Sequence, residues 1–111
     1  MKPYVIQYKD FLKYFVKLSL KNKKHIIPTL QRDQLNVISE VCQNFLKKNL
    51  TQDPKIIRKV RPSKKEIKVI SLKKTPLYKK KKILQSRQGG AILSVLLPLA
   101  ASLITSLISR K

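Results

Sequence analysis

From Gly89 to Ser109 the chain runs for 21 residues without a charged side chain. Directly before that run stands its densest cationic stretch, Lys79-Lys80-Lys81-Lys82-Ile83-Leu84-Gln85-Ser86-Arg87-Gln88. Gly89 and Gly90 divide the two and are the only glycines in the chain. One side of this junction should seek polyanions and the other should avoid water. Whatever the chain folds into has to place both, and the remaining residues read as a basic helical arm leading to that point.

The 111 residues suffice for one small domain at most. They carry 26 Lys+Arg against 5 Asp+Glu, a formal net charge of +21, and self-repulsion opposes compaction of so cationic a chain. Without the tail the apolar content is thin, and a domain that small buries its core only marginally. The expectation is therefore an all-α chain of short amphipathic helices, loosely packed or ordered by a partner, with a separate C-terminal apolar helix. All five acids (Asp10, Asp33, Glu40, Asp53, Glu66) precede Ile67, and ten basic residues and no acid follow it. An acid-free basic block suits nucleic acid or an anionic membrane surface. A single cysteine, Cys42, excludes a disulfide framework and a cysteine-based zinc site. No metal or cofactor is expected. One His, one Cys and five scattered acids give no spacing for a triad, a carboxylate pair or a metal, so an enzyme is not expected. No signal peptide is read at the start, where Lys9, Asp10, Lys13 and Lys17 interrupt the apolar residues.

In chain order, the periodicity divides the sequence into four parts: 1–27, an amphipathic helix and loop; 28–50, a central amphipathic helix; 51–88, short Lys/Arg-rich helices and the basic block; 89–111, the apolar helix. Tyr8, Phe11, Leu12, Phe15 and Leu18 recur at helical spacing within residues 4–20. They suit packing on the next helix better than stacking on bases. Asn22, Lys23, Lys24 and His25 break that pattern and read as loop. Thr29 is a candidate N-cap for the stripe Leu30, Leu35, Ile38, Val41, Cys42, Phe45 and Leu46, with Asn49 closing the helix. Cys42 lies on the stripe and reads as a small buried residue. Asp53-Pro54 opens a short helix to about Val60, Ser63 to Glu66 spells a capping box, and Pro76 marks a break before a helix from Leu77 to about Ser86. In the tail, about 30 Å as a helix, Pro98 should kink the helix or remove a backbone bond. Ser102, Thr105, Ser106 and Ser109 form a weak polar stripe that an interfacial or protein-packing helix would use.

A basic block, then Arg87-Gln88-Gly89-Gly90, then an apolar tail with internal Leu97-Pro98-Leu99 resembles the precursor of the adenoviral core peptide, protein X or mu. It looks still more like the small basic proteins of Polinton/Maverick elements and adintoviruses, over about residues 30–111. The resemblance implies a virion protein that binds and condenses packaged double-stranded DNA, located in the virion and, during assembly, in the host nucleus. It also implies capsid proteins and a viral cysteine protease as partners. In the adenoviral relative the protease cuts after the second glycine of such a junction. Carried over, the cut falls between Gly90 and Ala91, with Gly89 in the preceding position. Arg87 stands where the adenoviral pattern has a large apolar side chain, so two readings remain: a processing site, or a helix stop and hinge.

The residues expected to meet DNA are Lys73, Lys74, Lys79, Lys80, Lys81, Lys82 and Arg87. Lysine predominates, which points to phosphate neutralisation rather than reading of base edges. The residues of the membrane or capsid segment are Ile92, Leu93, Val95, Leu96, Leu97, Leu99, Leu103, Ile104, Leu107 and Ile108. The alternative is a membrane-active or tail-anchored basic protein without a nucleic-acid role, the tail inserting and the lysines holding anionic lipid.

Overall fold

The computed structural model describes residues 7–109, with side chains as far as Ile104. A start of the first helix at Tyr4, the terminal Arg110 and Lys111, and the side chains of Thr105 to Ser109 lie outside that range. The chain is all-α, and among the described residues no strand occurs. Six helices come first: α1 (Lys9–Lys17), α2 (Leu20–Ile26), α3 (Arg32–Leu46), α4 (Pro54–Val60), α5 (Lys64–Ser71) and α6 (Leu77–Gln85). The chain then turns by 89° into a C-terminal rod. This rod opens with Gly89–Ala91, passes through a π-helical stretch at Ile92–Leu96 and continues as α7 (Leu97–Ser109).

The apolar tail is a helix of its own, and it is also where the core sits. Ile92, Leu93, Leu96, Leu97 and Ala100 are fully buried and Ile104 nearly so. Around them pack Leu12 and Phe15 of α1, Leu35, Ile38, Val41 and Cys42 of α3, Ile67 and Ile70 of α5, and Leu84 of α6. The four parts distinguished along the sequence thus share one core. Packing is tighter than the charge alone suggests: the radius of gyration is 12.8 Å, near the roughly 13 Å of a compact domain of about 100 residues. The tail's apolar area is what the basic arm lacks. Docking it inside lets short helices with one apolar face each bury that face.

The aromatic stripe of α1 turns inward. Leu12 and Phe15 are buried, and the Phe11 and Phe15 rings lie 5.5 Å apart at 31°. Asn22 to His25, expected as loop, are helical in α2. Ser19 opens that helix by accepting the Asn22 N–H at 3.2 Å. Thr29 does not cap α3: its hydroxyl donates back to the Ile26 carbonyl at 2.7 Å within a 3₁₀ turn. The cap is Gln31, which forms a reciprocal box with Gln34. Asp53 caps α4 as expected, accepting the Lys55 N–H at 2.9 Å ahead of Pro54.

At the end of α3, the Lys48 N–H donates to the Phe45 carbonyl and the Asn49 N–H to the Asn44 carbonyl, a Schellman closure. Lys48 sits at φ 63, the only non-glycine with positive φ among the described residues, and it is exposed. A Cβ there is strained and glycine is not. Lys48→Gly is therefore expected to stabilise the protein by about 0.5–1 kcal/mol, read as a higher denaturation midpoint at unchanged slope. An unchanged or lower midpoint contradicts this.

Candidate nucleic-acid interface

The lysine run lies on α6. Successive helical residues turn by about 100°, so four consecutive lysines cannot all face solvent once the helix packs. Leu77 and Leu84 lie seven residues apart on the packed face, with Leu84 fully buried, and positions 80 and 81 fall between them. Lys79 and Lys82 point out and are exposed. Lys81 is half-buried and donates to the Pro28 carbonyl at 2.9 Å. Lys80 is only 2% exposed, and its Nζ donates to Ser39 Oγ at 2.8 Å. Burial lowers the pKa of Lys80.

Lys73 and Lys74 occupy the turn between α5 and α6, both exposed. Thr75 shapes that turn by donating its hydroxyl to the Val69 carbonyl at 2.7 Å. Arg87, also exposed, lies in the corner between α6 and the rod. The fold therefore displays Lys73, Lys74, Lys79, Lys82 and Arg87 and takes Lys80 into the interior. Three of the five acids have partners of their own, while Glu66 keeps one buried carboxylate oxygen without a hydrogen bond. Asp33 accepts from the Tyr8 hydroxyl at 3.0 Å, a bond that raises the pKa of the phenol, while Glu40 accepts from the Asn44 amide and Asp53 from a backbone N–H.

A second lysine, Lys23, is also buried, at 4% exposure, and sequence reading missed it. Its Nζ donates to the Leu93 carbonyl at 3.1 Å. The reason lies in the rod. In the π register the Leu97 N–H bonds back to the Ile92 carbonyl. The next N–H in that register, which would serve Leu93, belongs to Pro98, and proline has none. Lys23 fills the vacancy across 70 positions of chain, with its pKa lowered by burial. The bond that Pro98 removes is thus replaced rather than left open, as buried backbone requires.

The glycine junction is built into the packing. Gly89 is buried, while Gly90 and Ala91 are half-buried. A Cβ on Gly89 would lie on the Leu84 carbonyl oxygen and 2.6 Å from that of Ile83. Gly90 has only ordinary contact, with Leu20 Cδ2 at 3.8 Å. Ser63 does not cap α5. Its hydroxyl donates to the Gln88 carbonyl at 3.0 Å and ties the junction to the start of α5. The Gly90–Ala91 bond lies in helical backbone rather than in an exposed extended loop.

Of the tail residues assigned to a membrane or capsid segment, Ile92, Leu93, Leu96, Leu97 and Ile104 are buried and Val95, Leu99 and Leu103 half-buried, while Leu107 and Ile108 fall beyond the described side chains. Among the described residues no single helix is long and apolar enough to cross a membrane; α6 and the rod meet those limits only as a bent pair. Cys42 is fully buried, which pushes its thiol up to about 12 and keeps it protonated at neutral pH. Among the described residues no three His, Cys, Asp or Glu side chains gather where they could hold a metal ion. No protein-family model matches the chain, nor does any curated protein or solved structure.

Proposed function

We propose that the protein is a virion-associated structural protein that binds and condenses double-stranded DNA without sequence preference. The observation that carries this reading is the distribution of charge. A chain of net charge +21 folds around its uncharged segment and leaves Lys73, Lys74, Lys79, Lys82 and Arg87 exposed on and beside α6. Five such cations can neutralise phosphates and release counterions, which needs no base-edge geometry. The order of basic block, paired glycines and Leu-Pro-Leu tail supports the virion assignment through its resemblance to the Polinton/Maverick and adenoviral core proteins. Burial of the apolar rod favours this reading over a membrane-active one, because the rod's apolar residues already have partners inside the protein.

The test is duplex binding by the full-length protein over a range of salt. Affinity should be alike for unrelated sequences and fall about 500-fold between about 50 and 200 mM salt if these five cations each engage a phosphate. Each of Lys73→Gln, Lys74→Gln, Lys79→Gln, Lys82→Gln and Arg87→Gln should reduce the log–log salt slope by about 1. Binding that resists salt, or that prefers one sequence, contradicts the proposal.

A further inference from the structure

Lys80 is buried at the meeting of two clefts. One, of about 640 Å³, is lined by Tyr8, Asp33 and Glu40 among others; the other, of about 430 Å³, by Lys74, Thr75 and Tyr78. Arg32, Asn36, Lys73 and Lys80 line both. The smaller cleft thus collects four cations from three separate parts of the chain: the first turn of α3, the α5–α6 turn, and α6. It contains no acid. The two acids of the larger cleft are engaged with Tyr8 and Asn44.

Folding alone gives no reason for this arrangement. Four like charges around one cleft repel, and an ammonium taken out of water is costly unless it is paired. Lys80 has three donors and one hydrogen bond, to the neutral Ser39 hydroxyl. Arg32, Lys73 and Lys74 are exposed at the cleft mouth and free to close on an anion. Tyr78, on the rim, is 74% exposed, the most exposed large apolar side chain among those described. An uncovered ring beside a cationic cleft suits a planar group attached to the anion.

We propose that the smaller cleft is a seat for a single phosphate group, held between Arg32, Lys73, Lys74 and the inward-facing Lys80, with Tyr78 stacking on the ring that follows it. Arg32 supplies the planar fork that matches two phosphate oxygens, and the three lysines supply point charges. The inference deepens the DNA-binding reading and rests on it only for the source of the phosphate: a nucleic-acid backbone or end rather than a free phosphorylated molecule.

The experiment uses the full-length protein with three probes: inorganic pyrophosphate, a nucleoside monophosphate and a short duplex. Binding is followed by amide and lysine side-chain NMR. Pyrophosphate and the monophosphate should give saturable shifts concentrated at Arg32, Ser39, Lys73, Lys74 and Lys80. The monophosphate should also shift the Tyr78 ring, and the duplex should displace both small probes. Lys80→Met, which keeps the length and removes the charge, should weaken pyrophosphate tenfold or more. Lys79→Met, an equal change of net charge on the exposed side of α6, should weaken it less than twofold. Arg32→Gln and Lys74→Gln act at exposed positions and carry the same expectation as Lys80→Met should that variant fail to fold. Equal losses at positions 79 and 80, or shifts scattered over all lysines, overturn the seat and leave the DNA reading standing. A seat that saturates with pyrophosphate in a protein that does not bind duplex overturns the DNA reading and leaves the seat standing, with a free phosphorylated molecule as its ligand. Duplex that binds without displacing pyrophosphate overturns the nucleic-acid source alone.

Discussion

Gly89→Ala is expected to destabilise the protein strongly, and Gly90→Ala to stabilise it. The two glycines are adjacent and chemically identical, so the contrast comes entirely from what surrounds them. The missing Cβ of Gly89 faces the carbonyl oxygens of Ile83 and Leu84 in the last turn of α6. Those atoms are backbone and cannot swing aside as a side-chain tip can. To admit a methyl group the rod must move away from α6, pulling on the packed Ile92 and Leu93 and on the Ser63–Gln88 bond. Overpacking of this kind costs about 3 kcal/mol at the upper end of its usual range, which for a domain this size lowers the melting temperature by roughly 10 °C or more. At Gly90 a Cβ meets only Leu20 Cδ2 at ordinary distance. Alanine there gains the helix propensity that glycine lacks, about 0.8–1 kcal/mol. Thermal melts of the two single variants decide the matter. Similar shifts for both would mean that the junction is a loose hinge and not a packed corner.

Local chemistry placed several boundaries correctly. Asp53-Pro54 starts α4, Pro76 precedes α6, and α3 carries its apolar stripe, Leu35, Ile38, Val41 and Cys42, into the core. Where the reading failed, the deciding partner lay far off in the chain. Ser63 has the sequence of a capping residue, but its hydroxyl is taken by Gln88, 25 positions on. Lys23 looked like a loop cation, and it is buried because Pro98 leaves the Leu93 carbonyl without a donor. His25 stood in an apparent loop because Ser19, the cap of α2, falls inside the span 4–20 that reads as one helix. The lysine run was read as four DNA contacts, yet Lys80 is buried: Leu77 and Leu84 define an inner face, and positions 80 and 81 lie between them on it, a signal the sequence held and the reading passed over. Arg32 and Tyr78 were not legible as neighbours of that run, since no periodicity joins the first turn of α3 to the start of α6.

The second large effect concerns the tail. A chain ending at Gly90 is expected to be unfolded, and the intact protein to resist cutting between Gly90 and Ala91. Removal of the segment takes Ile92, Leu93, Leu96, Leu97 and Ile104 from the core, all 0–1% exposed. At about 1.5–3 kcal/mol for each buried Leu or Ile, the loss is about 8–15 kcal/mol, as large as the whole stability of a typical domain. What remains keeps the α3–α5 packing, with Gln43 donating to the Ser71 carbonyl, but loses the rod that α1 packs on and the Leu93 carbonyl that accepts from Lys23. A protease that reads an extended chain cannot take the Gly90–Ala91 bond from a helix whose flank is buried, so cutting should follow the rate at which the rod opens. If cutting occurs during assembly, it therefore acts on an opened chain and turns a compact cationic protein into an extended one. An extended polycation can lay more of its lysines along a duplex than a globule that buries two of them. Circular dichroism of the 1–90 chain tests this: loss of the cooperative melt seen for the full-length protein is the expected result, and a cooperative melt at a similar temperature would show that the core does not depend on the tail. Adding duplex to the same 1–90 chain should restore helix in proportion to bound phosphate, since each neutralised lysine removes repulsion along the basic arm. Helix that stays absent with DNA bound would show that only the rod can order it.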